Sequence, residues 1–167
     1  LYEEYLPRVE EAERNNDEVE YAAVITEVTY KFYDSHTYAY FTPDMKLDTC
    51  EYMAGNDYGL SMIRVDDGSI IAVSIEPDCE ANKQGIHDGT TITAWDNQDI
   101  EEAVAETECC FPGFSFPVEE NEDVFRPMFL AGKGGESVDI TFINDEGVEQ
   151  TISVKSIDNY YNRLADT

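Results

Sequence analysis

The sequence predicts an α+β fold in which a helical front is followed by a β-rich module with short helices. Three observations carry this. Apolar residues recur at helical spacing through residues 1–36. From Tyr58 onward, short apolar runs alternate with turn pairs, of which Asp67-Gly68 is the sharpest. Hydrophobic residues make up 42% of the 167 positions and aromatics 12%, enough to fill a core despite a net charge of -27.

Tyr2, Tyr5, Leu6, Val9 and Ala12 mark the first helix. Pro7 suits a first helical turn, so the element is expected to start or kink there, and Asn15-Asn16 ends it. Asp17 opens a second helix, with Glu20 three residues on as in a capping box. Tyr21, Val24, Ile25, Val28 and Phe32 form its apolar stripe, read as core. Tyr38–Thr42 reads as a strand and Pro43–Gly55 as a connector. Leu60–Val65 and Ser69–Ile75 flank the Asp66-Asp67-Gly68 turn as a hairpin. Ala81–Gln84 makes one helical turn closed by Gly85. Thr91–Trp95 is a strand, Asp96-Asn97 a turn and Ile100–Glu106 a short helix. Thr107–Gly135 reads as an insertion, helical over about 122–131 despite Pro127. Val138–Ile143 and Thr151–Val154 close the module as a hairpin across Asp145-Glu146-Gly147.

The charge balance excludes some partners. With 37 acidic residues against 10 basic ones, the surface repels phosphate backbones and anionic headgroups, so no nucleic acid partner is expected. No run reaches the roughly 18 apolar residues of a membrane span. The chain opens at Leu1 inside a helical pattern, with no starting Met and no signal-peptide pattern, so a longer parent is expected. Cys50, Cys79, Cys109 and Cys110 form no C-x-x-C pair, and His36 and His87 lack zinc spacing. Buried or free thiols are the plain reading of the cysteines and a disulfide its alternative. No motif calls for a metal or a cofactor.

Residues 58–157 resemble a PDZ domain of the bacterial protease type. The matching residues are Tyr58 to Met62, Ile71 to Ile75, Pro77, Ala81, Gly85-Ile86, Gly89, Ile92, Trp95 and Val138 to Thr141. Thr90 departs from the usual Asp and Asn97 from the usual Gly. The resemblance implies a PDZ-like partial β-barrel with two short helices. It also implies that Gly59, Leu60, Ser61 and Met62 offer backbone N–H groups to a peptide C-terminal carboxylate. The peptide would add as a strand, with Leu60 and Met62 lining a side-chain pocket.

The front of the chain is similar to the N-terminal region of tricorn-core and C-terminal processing (tail-specific) serine peptidases. The residues that carry this are Tyr5-Leu6-Pro7, the helix from Glu20 to Tyr33, and Asp34-Ser35-His36-Thr37. Helical region, then PDZ domain, is the family's order, with an α/β catalytic core following. In the tricorn-like branch the resemblance makes His36 a general base and Ser35 its orienter, for a serine beyond the PDZ domain. Such a base needs a pKa near working pH and a partner that fixes its tautomer. In the Ser-Lys branch His36 is structural. Within the chain, Gly113-Phe114-Ser115 lacks the second glycine of a nucleophile elbow. The Lys133 loop lacks the Ser/Thr of a phosphate loop.

The expected organisation is a helical segment over 1–42, a connector over 43–57 and a PDZ-like domain over 58–157 with its insertion at about 107–135. Residues 158–167 would be a linker to an absent catalytic core. The expected function is the non-catalytic front of a serine-type endopeptidase. It would recognise or gate polypeptide substrates, with the downstream catalytic domain of the same chain as partner, outside the cell or in its envelope. The alternative is a stand-alone peptide-binding or scaffolding module without protease activity.

Overall fold

The computed structural model describes residues 2–32, 34, 36–37, 39–108 and 122–158. These fall into two compact units. Residues 2–55 with Glu122 form one, and residues 56–108 with 123–158 form the other.

The first unit is helical. In α1 (Tyr2–Asn15) Pro7 lies inside the helix rather than at its start. The loss is one hydrogen bond, since proline has no N–H to offer the Glu3 carbonyl. The end at Asn15-Asn16 is as expected. Asn16 turns to φ 55, and the N–H groups of Asn16 and Asp17 close on the carbonyls of Glu13 and Ala12. Asp17 then caps α2 (Glu18–Tyr30), its side chain accepting the Glu20 N–H at 3.0 Å. Glu20 does not return the bond of a full capping box. Its carboxylate accepts instead from Arg8 of α1 and from Tyr52.

The buried face of α2 differs from the expected stripe. Val24 is buried, but Tyr21 and Phe32 are exposed and Ile25 and Val28 only half-buried. The buried positions are Ala22, Ala23, Val24, Thr26 and Tyr30. The reason is that α2 packs against both α1 and α3 (Pro43–Ala54). Small side chains let those backbones approach, and the Thr26 hydroxyl is satisfied by the Ala22 carbonyl. α3 replaces the expected connector. Thr42 accepts the Met45 N–H, and Pro43 takes the first helical position, where a missing N–H is harmless. Residues 39–42 carry no strand, because the described residues of this unit offer no strand to pair with one. Tyr38 lies outside the described residues.

The second unit holds the β structure. β1 (Ser61–Arg64) and β2 (Ile70–Val73) form the expected hairpin. Gly68 at φ 90 makes its turn, and Asp67 accepts from Ser69. α4 (Glu80–Lys83) ends at Gly85, also as expected. β3 (Ile92–Trp95) turns through Asp96 and Asn97, both at positive φ, into β4 (Gln98–Asp99). Asp99 caps α5 (Ile100–Ala105). After α6 (Glu122–Leu130), β5 (Ser137–Ile143) and β6 (Glu149–Lys155) make the closing hairpin.

The strands form a two-stranded sheet, β1-β2, and a four-stranded antiparallel sheet, β4-β3-β5-β6. A single bridge between Ile71 and Thr91 joins them, so the barrel is partial. The core fills the space between, with Tyr58, Leu60, Met62, Ile86, Ile140 and Phe142 each 0% exposed. The 107–135 stretch contributes to this core at the end of α6. Leu130 and Ala131 of the α6 end are buried in it. The following loop is latched by donors to its carbonyls: Asn56 N–H to Gly132, Trp95 Nε1 to Lys133 and Tyr58 Oη to Gly135.

Candidate functional site

Two regions carry the residues singled out from the sequence, one in each unit. In the first, Asp34 closes a turn around His36. Asp34 Oδ1 accepts the His36 backbone N–H at 3.0 Å and lies 3.3 Å from His36 Nδ1. Oδ2 accepts the Thr37 hydroxyl at 2.8 Å. These bonds, the His36 N–H first among them, hold the Asp34 carboxyl below the ordinary carboxylate range. The imidazole is therefore oriented by a carboxylate two residues away. Ser35, the expected orienter, lies outside the described residues. The Asp-x-His spacing of an Asx-turn was the signal for Asp34. An imidazole works as a base when a nucleophile sits beside it and water is kept out. At 91% exposure of its side chain, His36 does not meet the second condition. His87 is exposed, and its Nδ1 lies 3.2 Å from Asn82 Nδ2.

The second region is β1. Its register pairs Met62 with Ala72, but Ala72 does not bond to Met62. The Ala72 N–H donates to the Thr90 carbonyl, and its own carbonyl accepts the Gly89 N–H, both at 2.8 Å. Met62 and Ala72 are therefore a non-hydrogen-bonded antiparallel pair, and the Met62 N–H and C=O point away from β2. By the two-residue period, those of Leu60 and Arg64 do so as well. β1 pairs with β2 alone among the described strands, so its outer edge is a row of backbone donors and acceptors. That edge is covered: Leu60, Ser61 and Met62 are each 0% exposed.

The four residues predicted to bind a peptide take different roles. Leu60 and Met62 send their side chains into the core, so they do not line an open pocket. Ser61 faces the other side of the strand, and its buried hydroxyl has no hydrogen-bond partner among the described residues. Gly59 is fully engaged. Its N–H donates to Asp57 Oδ1 at 2.7 Å, and its carbonyl accepts the Glu76 N–H at 2.7 Å and the Cys79 thiol at 3.6 Å. At φ +79, with Cys79 Cβ 2.7 Å from where a Cβ would stand, the position admits only glycine. Asp57, 3% exposed, was not foreseen, because its part depends on what the fold wraps around it. Cys79 is a free, buried thiol that caps α4 through the Asn82 N–H. Cys109 and Cys110 lie outside the described residues.

No family model matches the chain, and no curated protein matches it. Among solved structures it is similar to mature CPAF, a chlamydial serine protease, at 13% identity and a TM-score of 0.41, over 67% of this chain and 24% of that one. Mature CPAF complexed with lactacystin is similar at 10% identity and a TM-score of 0.40, over 83% of this chain and 28% of that one. The chain thus spans about a quarter of the length of these structures. The likeness is a distant one in structure to a serine protease, and it places no residue of the chain in a site.

Proposed function

We propose that the second unit is a polypeptide-recognition module that takes an extended segment as an added strand on the outer edge of β1. In this reading it serves as a non-catalytic part of a serine-type endopeptidase, where it admits or gates substrate. The observation that supports it is the outward direction of the Met62 N–H and C=O, fixed by the Ala72 bonds to Thr90 and Gly89. Strand addition uses just such an edge, with main-chain bonds giving affinity. The unpartnered Ser61 hydroxyl adds a buried polar group on the same strand. Because the edge is covered, entry requires an opening step, which makes the module a gate as well as a receptor.

The test is a titration of the isotopically labelled chain with an extended decapeptide of alternating valine and lysine, followed by nuclear magnetic resonance. Saturable shifts centred on the amides of residues 60–64 are the expected result, with an observed association rate that levels off at high peptide concentration. No shifts at millimolar peptide would sink the reading. His36 belongs to the same proposal as a base oriented by Asp34 for a serine outside this chain. In the parent enzyme His36→Ala then abolishes hydrolysis of unstructured polypeptide. Unchanged turnover makes the residue structural.

A further inference from the structure

We propose that the outer edge of β6 is a self-association surface, on which a second copy of this chain adds its own β6 as an antiparallel strand about a two-fold axis at Ile152. The surface is distinct from the β1 edge. β6 ends the order β4-β3-β5-β6, so among the described strands it pairs with β5 alone. Three bonds fix which of its backbone groups point outward. The Asn144 N–H donates to the Val148 carbonyl and the Ser156 N–H to the Glu136 carbonyl, each at 3.0 Å. These rungs lie just beyond the two ends of the β5–β6 register, so the even-numbered residues of β6 bond to β5. The third bond runs the other way: the Lys155 N–H donates to Glu80 Oε2 of α4 at 3.2 Å. The N–H and C=O groups of Glu149, Thr151 and Ser153 therefore point away from the sheet. All three residues are exposed, so this edge, unlike that of β1, is open without any rearrangement.

An open edge of this kind is a template for another strand. The occupant is chosen by the sequence along it, Glu149-Gln150-Thr151-Ile152-Ser153-Val154-Lys155. Turned about Ile152, an antiparallel copy sets Thr151 opposite Ser153 and Glu149 opposite Lys155, and symmetry repeats each pairing. All four positions point their backbone groups outward, as hydrogen-bonded pairs require. All four side chains are exposed, and hydroxyl pairs and opposite charges are favourable cross-strand neighbours. Other registers lose this match. A shift of one residue sets outward backbone groups against inward ones. A shift of two sets Thr151 or Ser153 opposite itself and leaves Glu149 away from Lys155. The Thr151 hydroxyl already lies 2.9 Å from that of Thr141, so an added Ser153 extends an existing row. Glu149 accepts the Thr93 hydroxyl at 2.8 Å in the single chain, an exposed bond that a facing lysine displaces. Because Glu80 holds the Lys155 N–H, the backbone rungs are those at Thr151 and Ser153, and the outer pairs act through their side chains. Each copy carries a net charge of -27, so the contact shows itself once long-range repulsion is screened.

The experiment is sedimentation velocity on the chain at about 0.3 M sodium chloride, from micromolar to millimolar concentration. A reversible shift from one copy towards two is expected. Glu149→Lys alone and Lys155→Glu alone should each weaken self-association about tenfold or more, since like charges then face each other. The two substitutions move the net charge in opposite directions, so a general charge effect cannot weaken both. An equimolar mixture of the two variants should associate at least as well as the unchanged chain, because every facing pair is again of opposite sign. Hydrogen exchange gives a second reading that needs no variant: the Thr151 and Ser153 amides should exchange more slowly as the chain associates. A chain that stays single at millimolar concentration overturns the proposal. Association that either single substitution leaves unchanged, a mixture no stronger than its components, or unslowed amides would each place the contact elsewhere and overturn it too.

Discussion

Ser61 shows how a single hydroxyl links stability to function in this chain. Its Oγ is buried with no hydrogen-bond partner among the described residues, and such a group destabilises a fold by about 1–3 kcal/mol. Ser61→Ala is therefore expected to raise stability by about 1 kcal/mol in urea unfolding. If the hydroxyl meets the added strand, the same change weakens peptide binding. Unchanged stability would mean that water satisfies the group. Tyr52 gives a pH signature. Its hydroxyl donates to Glu20 at 2.9 Å, and this bond, which only the neutral phenol can make, raises its pKa above the ordinary phenol range. A raised folded value means that the stabilisation is fully present below the unfolded pKa. It is lost as pH climbs through the folded value. The difference between the ultraviolet titrations of the wild-type chain and Tyr52→Phe should show a phenol ionising above the ordinary range, and a difference at the ordinary value would refute it. Tyr52 did not stand out in the sequence, and Ser61 did so only for its backbone N–H, because the surroundings of each side chain are set by tertiary structure.

Elements were legible where their signals are local. The Asn16 and Gly85 helix ends, the Asp17 cap, the Gly68 turn and the Asp96-Asn97 turn were each readable from two or three neighbouring residues, and each is present. α3 carried its signal too, in Thr42-Pro43-Asp44, but weak alternation before it favoured a strand. A strand needs a partner, and local sequence does not say whether one exists. The face of α2 failed for a related reason. Periodicity finds an apolar stripe, but burial goes to whichever positions the neighbouring helices cover, and two of them cover Ala22, Ala23 and Thr26. The consequence can be measured by thermal or denaturant unfolding. Phe32→Ser, on the stripe but 55% exposed, should change stability by about 0.5 kcal/mol or less. Ala22→Leu, at a fully buried position, should destabilise by roughly 1–3 kcal/mol through overpacking. The reverse ranking would restore the stripe as core. The β1 edge lay between these cases: the strand was legible, but which amides point outward depends on how Ala72 bonds to a loop eighteen residues on.

At the scale of the whole molecule, charge is the dominant feature. A net charge of -27 on 167 residues stores self-repulsion in the compact state. Pairing can relieve only part of it, since 37 acidic side chains face 10 basic ones. Arg8 is forked onto Glu27 with Glu20 beside it, and Arg64 is forked onto Glu101. The excess negative charge leaves repulsion spread over the chain. Salt acts on the two contributions in opposite directions. It weakens the exposed ion pairs, each of which contributes about 1 kcal/mol or less. It also screens the repulsion, which is shared among many groups, once the Debye length falls below about 10 Å near 0.1 M. The repulsion is the larger sum, so the melting temperature should rise by several degrees, on the order of 3 °C or more, as sodium chloride is raised from low ionic strength. The rise should be largely complete by about 0.3 M, where screening is nearly spent. An effect that keeps growing linearly beyond that would come from salt exclusion at the surface rather than from charge. A melting temperature that falls with salt would mean that the two arginine clusters outweigh the acidic surface. The same screening bears on the proposed ligand, because a basic segment is drawn to this surface at low salt wherever it lands. Only affinity that persists at high salt reports the β1 edge.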